Sequence, residues 1–318
     1  MMTKAEFLNQ LRGMISNLPP EEVERTIGYF SEIIDDRIED GMSEKEAVAG
    51  MESVESVANS LVPMQTELKD MRQNSYLASR VRAIFLKDVN SPVRLVCSDS
   101  DLITLDYYES SYKAYHIDLS QSEELVIRCE ILRKWSGLFG FNYAFRPFTL
   151  GIPKTYFGSL TLETTNGSIS SGGVDVSGSL ALKTSNGRIT VENMTIGKLL
   201  SLKSANGRLA LTGLKAGEIS ARTSNGKIEA INVRAEQNVA LESSNSGIHV
   251  EHLFSGSSIR LVSSNGKISG QIDDSLRTFN VKSRTSNGSS TLPSNMGGGT
   301  KDLNVFTSNG RIDLGFLM

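Results

Sequence analysis

The apolar positions of this chain change their period near residue 80. Upstream they recur every three or four residues, as on one face of a helix; downstream they alternate, as on one face of a strand. Phe7, Leu8, Leu11, Met14, Ile15 and Leu18 make the first helical stripe, which Pro19-Pro20 ends. Pro20-Glu21-Glu22 opens a second helix with proline and acids in its first turn, and Val23, Ile27, Phe30, Ile34 and Ile38 line its apolar face. Gly41 fits its stop. Ser43 with Glu46 three residues on is a capping-box pattern, starting a short helix with Ala47, Val48 and Met51. Ser53 caps a last helix through Val54, Val57, Ala58 and Leu61. The chain thus opens with a helical domain over 1–62. A polar stretch over 63–80 reads as a linker of helical character.

From Val81 the period is two. Residues 94–97, 102–105 and 125–129 are strand-like, and an aromatic segment follows with Trp135, Phe139, Phe141, Tyr143, Phe145 and Phe148. This makes 81–150 the entrance to a β-domain, the aromatics serving as its cap. Beyond it Asn-Gly recurs at Asn166-Gly167, Asn186-Gly187, Asn206-Gly207, Asn225-Gly226, Asn265-Gly266, Asn287-Gly288 and Asn309-Gly310, with a broken copy at Asn245-Ser246-Gly247. The asparagines are 20, 20, 19, 20, 20, 22 and 22 residues apart. A fixed period of this length is the mark of one unit stacked many times.

In the unit over 180–199, Leu180, Leu182 and Thr184 share one parity. Ser185-Asn186-Gly187 is a turn, and Ile189 and Val191 alternate with polar residues. A second loop near 193–197 completes a unit of two short strands and two turns. The inward set recurs as Leu160/Leu162 with Ile169, Leu200/Leu202 with Leu209/Leu211, Ile219/Ala221 with Ile228, Val239/Leu241 with Ile248/Val250, and Ile259/Leu261 with Ile268. Asn-Gly is a strong hairpin signal and favours an antiparallel meander. The near-constant period favours a β-solenoid, parallel β-helix-like, with rungs of about 20 residues over 151–318. The solenoid is the expected architecture. There the asparagines stack into a ladder and the glycines take positive φ at the corner.

Charge divides along the same boundary. Residues 1–70 hold 15 of the 36 acids and 6 of the 33 bases, a net of −9, which leaves 21 acids and 27 bases, a net of +6, for the rest. An acidic head on a basic body points to different partners for each. Cys97 and Cys129 share strand parity with apolar neighbours and read as small buried residues, not as a disulfide. The N-terminus lacks a signal-peptide pattern. The longest uncharged apolar run, 135–145, falls short of the roughly 20 residues a spanning helix needs. A cytoplasmic protein, peripheral at the membrane, is expected; the alternative is a cell-surface protein exported without a signal peptide.

Catalytic chemistry finds little material. His249 and His252 lie three apart, so in a strand they face opposite sides and do not share a metal. His116 is isolated, and Asp99-Ser-Asp101 lacks the oxygens of a calcium loop. Gly297-Gly298-Gly299 has no GKS and reads as a loop between the last two rungs. Glu163, Glu192, Glu229, Glu242 and Glu251 fall at scattered phases, so a polysaccharide-active solenoid enzyme ranks third among the readings. No catalytic residue, metal or cofactor is expected, nor direct nucleic-acid binding. Two outward basic columns do stand out. Arg188, Arg208, Lys227, Lys267 and Arg311 follow Asn-Gly, and Lys183, Lys203, Arg222 and Arg284 stand three before Asn. Stacked at rung spacing they form a candidate anion-binding stripe for headgroups or an anionic polymer.

Two resemblances add to this. The opening Met-Thr-Lys-Ala-Glu-Phe-Leu, the Leu18-Pro19-Pro20-Glu21-Glu22 joint, Tyr29-Phe30-Ser31-Glu32 and the turn from Asp40 to Ala47 resemble the HAAS domain, a helical signalling module. That implies a protein partner at the head, since such modules accompany PadR-like transcriptional regulators and often precede membrane helices. Asp99-Ser-Asp101 through Tyr107-Tyr108-Glu109-Ser110, Ile152-Pro153-Lys154 and the Thr/Ser-Ser-Asn-Gly-x-Ile series resemble the putative-adhesin β-strand-repeat family of bacteria. That family implies no catalytic residues, and its name implies a surface role. The functional expectation is a non-enzymatic signalling or scaffold protein whose head binds a regulator and whose body binds an anionic or cell-envelope ligand. An adhesin-like surface protein is the alternative.

Overall fold

The structure, a computed structural model, describes residues 2–16, 20–39, 41–61, 68–110, 113–120, 122–132 and 146–317. The chain divides into two compact units. One gathers Met1–Asp70, Tyr108–Ala114 and Ile131–Arg146; the other gathers Met71–Tyr107, Tyr115–Glu130 and Pro147–Met318. The aromatic cap expected over 135–148 lies outside the described residues except at its end, where Phe148 is buried.

The head is four helices: α1 (Lys4–Met14), α2 (Pro20–Glu39), α3 (Glu44–Ala49) and α4 (Val54–Leu61). The Ser43–Glu46 capping box forms at α3. A second one, Thr3 with Glu6, forms at α1. The Ser53 hydroxyl accepts from Ser56 N at the start of α4. Phe7, Leu11, Ile15, Val23, Ile27, Ile34, Ala47, Val48, Val54, Val57 and Ala58 close one core. Met14, assigned to the stripe of α1, is exposed instead, because Leu11 and Ile15 already take the inward positions of the last turn. Lys4 Nζ pairs with Asp35 at 2.6 Å and ties α1 to α2.

The body is a β-solenoid. Successive units pair in parallel, position for position: Ile169 with Ile189, Ile189 with Leu209, Leu209 with Ile228, Ile228 with Ile248, and Ile248 with Ile268. Each full rung carries three strand runs rather than the two read from the sequence. In the strand Ile189–Lys203, inward pairs come from Ile189/Val191, Met194/Ile196 and Leu200/Leu202. The middle run was missed because it sits in the loop assigned over 193–197 and is only three residues long. The next rung repeats the scheme with Leu209/Leu211, Leu214/Ala216 and Ile219/Ala221. These inward side chains are almost fully buried and form one continuous core along the stack.

The two corners also differ from expectation. The Asn-Gly glycines do not take positive φ. Instead, five left-handed positions form one column at the other corner: Gly173 (71°), Asn193 (52°), Gly213 (63°), Asn232 (54°) and His252 (52°). Asn tolerates this conformation better than other side chains, which suits the two asparagines. Glycine at the Asn-Gly corner answers a close approach instead. A Cβ on Gly187 would lie 2.1 Å from the carbonyl oxygen of Gly167, and one on Gly207 would lie 1.8 Å from that of Gly187.

Sequence order fails at both ends of the stack. At one end the rung over 83–98 lies between the 124–153 strands and the rung over 159–172. At the other, Lys301–Thr307 pairs with Ser258–Ser263 on one side and with Phe279–Thr285 on the other, so the last rung in sequence is not the outermost. Gly297-Gly298-Gly299 makes that return, joining the last two rungs in sequence, which are neighbours in the stack as read. Antiparallel partners finish both ends, residues 104–106 on 149–151 and Asn295–Met296 on 281–282. They cover ladder groups that would otherwise be open edges. The expected helical linker is also different: Leu68–Leu77 is a strand. Cys97 is exposed, because inward alternation along Val93–Ser98 stops after Leu95, while Cys129 is half-buried and packs against the core from Glu124–Ile131.

Candidate functional surface

Each Asn-Gly corner places its asparagine at one edge of the stack, and the side chains join into a single line. Asn186 Nδ2 donates to Asn166 Oδ1, Asn206 to Asn186, Asn225 to Asn206 and Asn245 to Asn225, each at 2.6 Å. Asn265 donates to Asn245 at 2.9 Å, Asn309 to Asn265 at 2.6 Å and Asn287 to Asn309 at 2.7 Å. At the opposite end Asn166 donates to Asn90, which the sequence reading passed over because Ser91 follows it where glycine stands elsewhere. All eight bonds run in one direction. The interrupted copy keeps its place: Asn245 stays in line, Ser246 takes the glycine position, and Gly247 stands opposite Lys227 and Lys267.

Beneath the asparagines runs a buried line of hydroxyls. Thr184, Ser204, Thr223 and Ser263 each accept from the glycine N–H three residues on and donate to the corner carbonyl of the neighbouring rung. This explains why Thr or Ser precedes Asn-Gly by two residues: at six of the seven corners it satisfies two backbone groups, and at Asn287-Gly288 it satisfies one. In the rung over 83–98 Asp88 takes the position, its Oδ1 accepting from the backbone of Val89, Asn90 and Ser91. Its other oxygen accepts from Tyr115 OH, whose pKa burial and the nearby carboxylate raise well above the usual phenol range.

The register fixes where the two expected basic columns lie. Arg188, Arg208, Lys227, Gly247, Lys267 and Arg311 follow the corner in stack order, so the first column forms, with a gap at Gly247. Acids one step along the strand neutralise much of it. Glu229 pairs with Arg208 and, at 2.6 Å, with Lys227; Asp313 pairs with Lys267 at 3.2 Å and Arg311 at 3.7 Å. Burial alone would raise the Glu229 carboxyl, but hydrogen bonds from Lys227 and Arg208 hold it below the usual range.

The second column is longer and less compensated. In stack order it reads Arg128, Lys87, Glu163, Lys183, Lys203, Arg222, Glu242, Val262, Phe306 and Arg284. Arg128 and Lys87 join it from strands whose place in the stack no repeat announces. Lys183, Lys203 and Arg222 are consecutive and exposed, Arg222 with 72% of its side chain accessible. Glu163 lies 3.7 Å from Lys183 and Glu242 lies 3.5 Å from Arg222, so the two acids flank this triplet without separating its members.

The remaining candidates do not converge. His249 lies 3.1 Å from Glu251, while His252, turned away at its left-handed corner, contacts Asp273 at 3.0 Å. Among the described residues no three His, Cys, Asp or Glu side chains could share a metal ion. Glu163 and Glu242 belong to the second column, Glu229 to the run carrying the first, and Glu192 and Glu251 to a third outward line three rungs apart. Among the described residues no helix is long and apolar enough to cross a membrane.

A putative cell adhesion protein from Clostridium sporogenes is 9% identical over 78% of this chain and 99% of its own, with a TM-score of 0.29. A putative adhesin from Bacteroides fragilis is 11% identical over 78% of this chain and 98% of its own, with a TM-score of 0.31. No curated protein matches the chain. Residues 6–60 match the HAAS family model, and residues 81–314 match that of Toastrack DUF4097. The chain belongs to the Toastrack DUF4097 family, with a HAAS module ahead of its repeats.

Proposed function

We propose that this is a non-enzymatic signalling or scaffold protein that holds an anionic surface or polymer along its solenoid while its helical head engages a regulatory protein. The observation that carries the reading is the second basic column, above all the triplet Lys183, Lys203 and Arg222. Rungs about 4.8 Å apart set these charges in a straight, rigid row. Each base near an anionic membrane is worth about 1 kcal/mol, so a row is needed for useful affinity. The first column, with Arg188, Arg208, Lys227, Lys267 and Arg311, contributes less, because Glu229 and Asp313 already hold four of its members.

The head supports the other half of the reading. Glu6, Glu24, Glu39, Glu44, Glu46 and Glu55 are exposed on it, which suits a partner with a basic face. A PadR-like transcriptional regulator is the partner to test first, by titration calorimetry with the full chain. For the body, cosedimentation with phosphatidylserine vesicles against phosphatidylcholine vesicles is decisive. Binding to the anionic vesicles alone, weakening with salt, is expected. Equal binding to both, or to neither, refutes an anionic membrane as the ligand. Protease shaving of intact cells separates an inner from an outer location, and cleavage from outside would favour envelope binding over signalling.

A further inference from the structure

Seven Asn-Gly pairs share one local sequence, yet the fold treats one of them differently. At Gly167, Gly187, Gly207, Gly226, Gly266 and Gly310 the backbone N–H donates to the Ser or Thr hydroxyl three residues earlier. All six glycines are buried or half-buried. The six matching asparagines each donate Nδ2 to one neighbour and accept at Oδ1 from another. Asn287-Gly288 is the exception. Among the described residues, Asn287 donates to Asn309 but accepts from no further asparagine, and Thr285 Oγ1 donates to Gly310 O without receiving the Gly288 N–H. Gly288 and Asn287 are both exposed.

We propose that Asn287-Gly288 is a site of spontaneous deamidation, the ladder protecting the other six pairs. The Gly288 backbone nitrogen gives up its proton and attacks Asn287 Cγ. The Cγ–Nδ2 bond breaks, ammonia leaves, and a five-membered succinimide forms. Water then opens the ring at one carbonyl or the other, giving Asp or isoAsp at 287. In the six protected corners the attacking N–H is tied to a hydroxyl and the amide is held on both sides, so local opening must come first. The product carboxylate at 287 has no N–H to give Asn309 Oδ1, so modification loosens the outermost rung and adds a negative charge there.

The test is peptide mapping of the full-chain protein aged at mildly alkaline pH, with isoaspartyl methyltransferase to label isoAsp. Asn287 is expected to convert on the order of tenfold faster than Asn186, Asn206 or Asn225, since each of those must first break two or more hydrogen bonds. In denaturant the seven pairs should converge to similar rates, and Asn287→Gln should remove the fast phase from the native protein. Conversion of an interior pair as fast as Asn287 would overturn the proposal. So would a preference for Asn287 that persists in denaturant, or a fast phase that survives Asn287→Gln.

Discussion

Asn309 donates its side-chain amide to Asn265 Oδ1 at 2.6 Å, across 44 residues of sequence, and Asn287 lies one rung further out. The end of the body is therefore built by skipping a rung, laying down 279–291, and returning to fill the gap with Lys301–Thr307 and Ile312–Phe316. In a stack whose rungs contact only their neighbours, the skipped rung holds the outer one in place. Deleting 301–318 should abolish hydrogen-exchange protection over 279–285 as well as weaken it over 258–263, with 189–223 unaffected. Intact protection over 279–285 would contradict this order.

Lys301 pins the inserted rung. Its Nζ donates to Asp274 Oδ2 and Ser255 O, both at 2.8 Å, and sits 4.3 Å from the centre of the Phe254 ring. Lys301→Met should cost about 1–3 kcal/mol, because it strands a half-buried carboxylate and carbonyl. Urea unfolding measures it.

Acid should weaken the same contact. Burial would raise the Asp274 carboxyl, but Lys301 and the Ser275 backbone hold it below its ordinary 3.8, and Glu229 is likewise held below 4.5. For groups lowered in the fold, the stabilisation is complete above the ordinary value and lost as pH falls through the folded one. Stability should decline below about pH 4.5, and Glu229→Gln with Asp274→Asn should flatten that decline in urea titrations at several pH values. An unchanged slope would contradict the assignment.

The corners make opposite demands on substitution. Gly207→Ala should cost about 3 kcal/mol or more, since its Cβ would lie 1.8 Å from a carbonyl of the neighbouring rung. At the left-handed corner His252→Asn should stabilise by about 0.5 kcal/mol, matching Asn193 and Asn232 in the same column. Asn206→Ala, which removes two ladder bonds, should cost about 1–2 kcal/mol, and Asn287→Ala about half that. Thermal unfolding of the four variants gives the ranking.

Much of this was legible in the sequence because parity and period are local. Leu200/Leu202 and Leu209/Leu211 point inward as read, and the asparagines stack as read. What escaped depends on contacts between distant segments. The role of Gly187 is set by the Gly167 carbonyl of the neighbouring rung, which no dipeptide preference encodes. Asn90 joined the ladder without a glycine after it. The 22-residue spacings at Asn287 and Asn309 were the one trace of the reversed last rungs, the extra residues serving the return. For the candidate surface, both columns were visible as residue types. That Glu229 and Asp313 compensate the first, and that Lys87 and Arg128 extend the second, required the register.

The central claim is that a particular row, not overall charge, binds the anion. Two triple variants remove the same charge from different columns: Lys183, Lys203 and Arg222 to Gln, and Arg208, Lys227 and Arg311 to Gln. Affinity for phosphatidylserine vesicles at low salt measures both. The first should fall by about two orders of magnitude, at about 1 kcal/mol per base, and the second far less. Equal losses would reduce the effect to net charge, and no loss in the first would contradict the account.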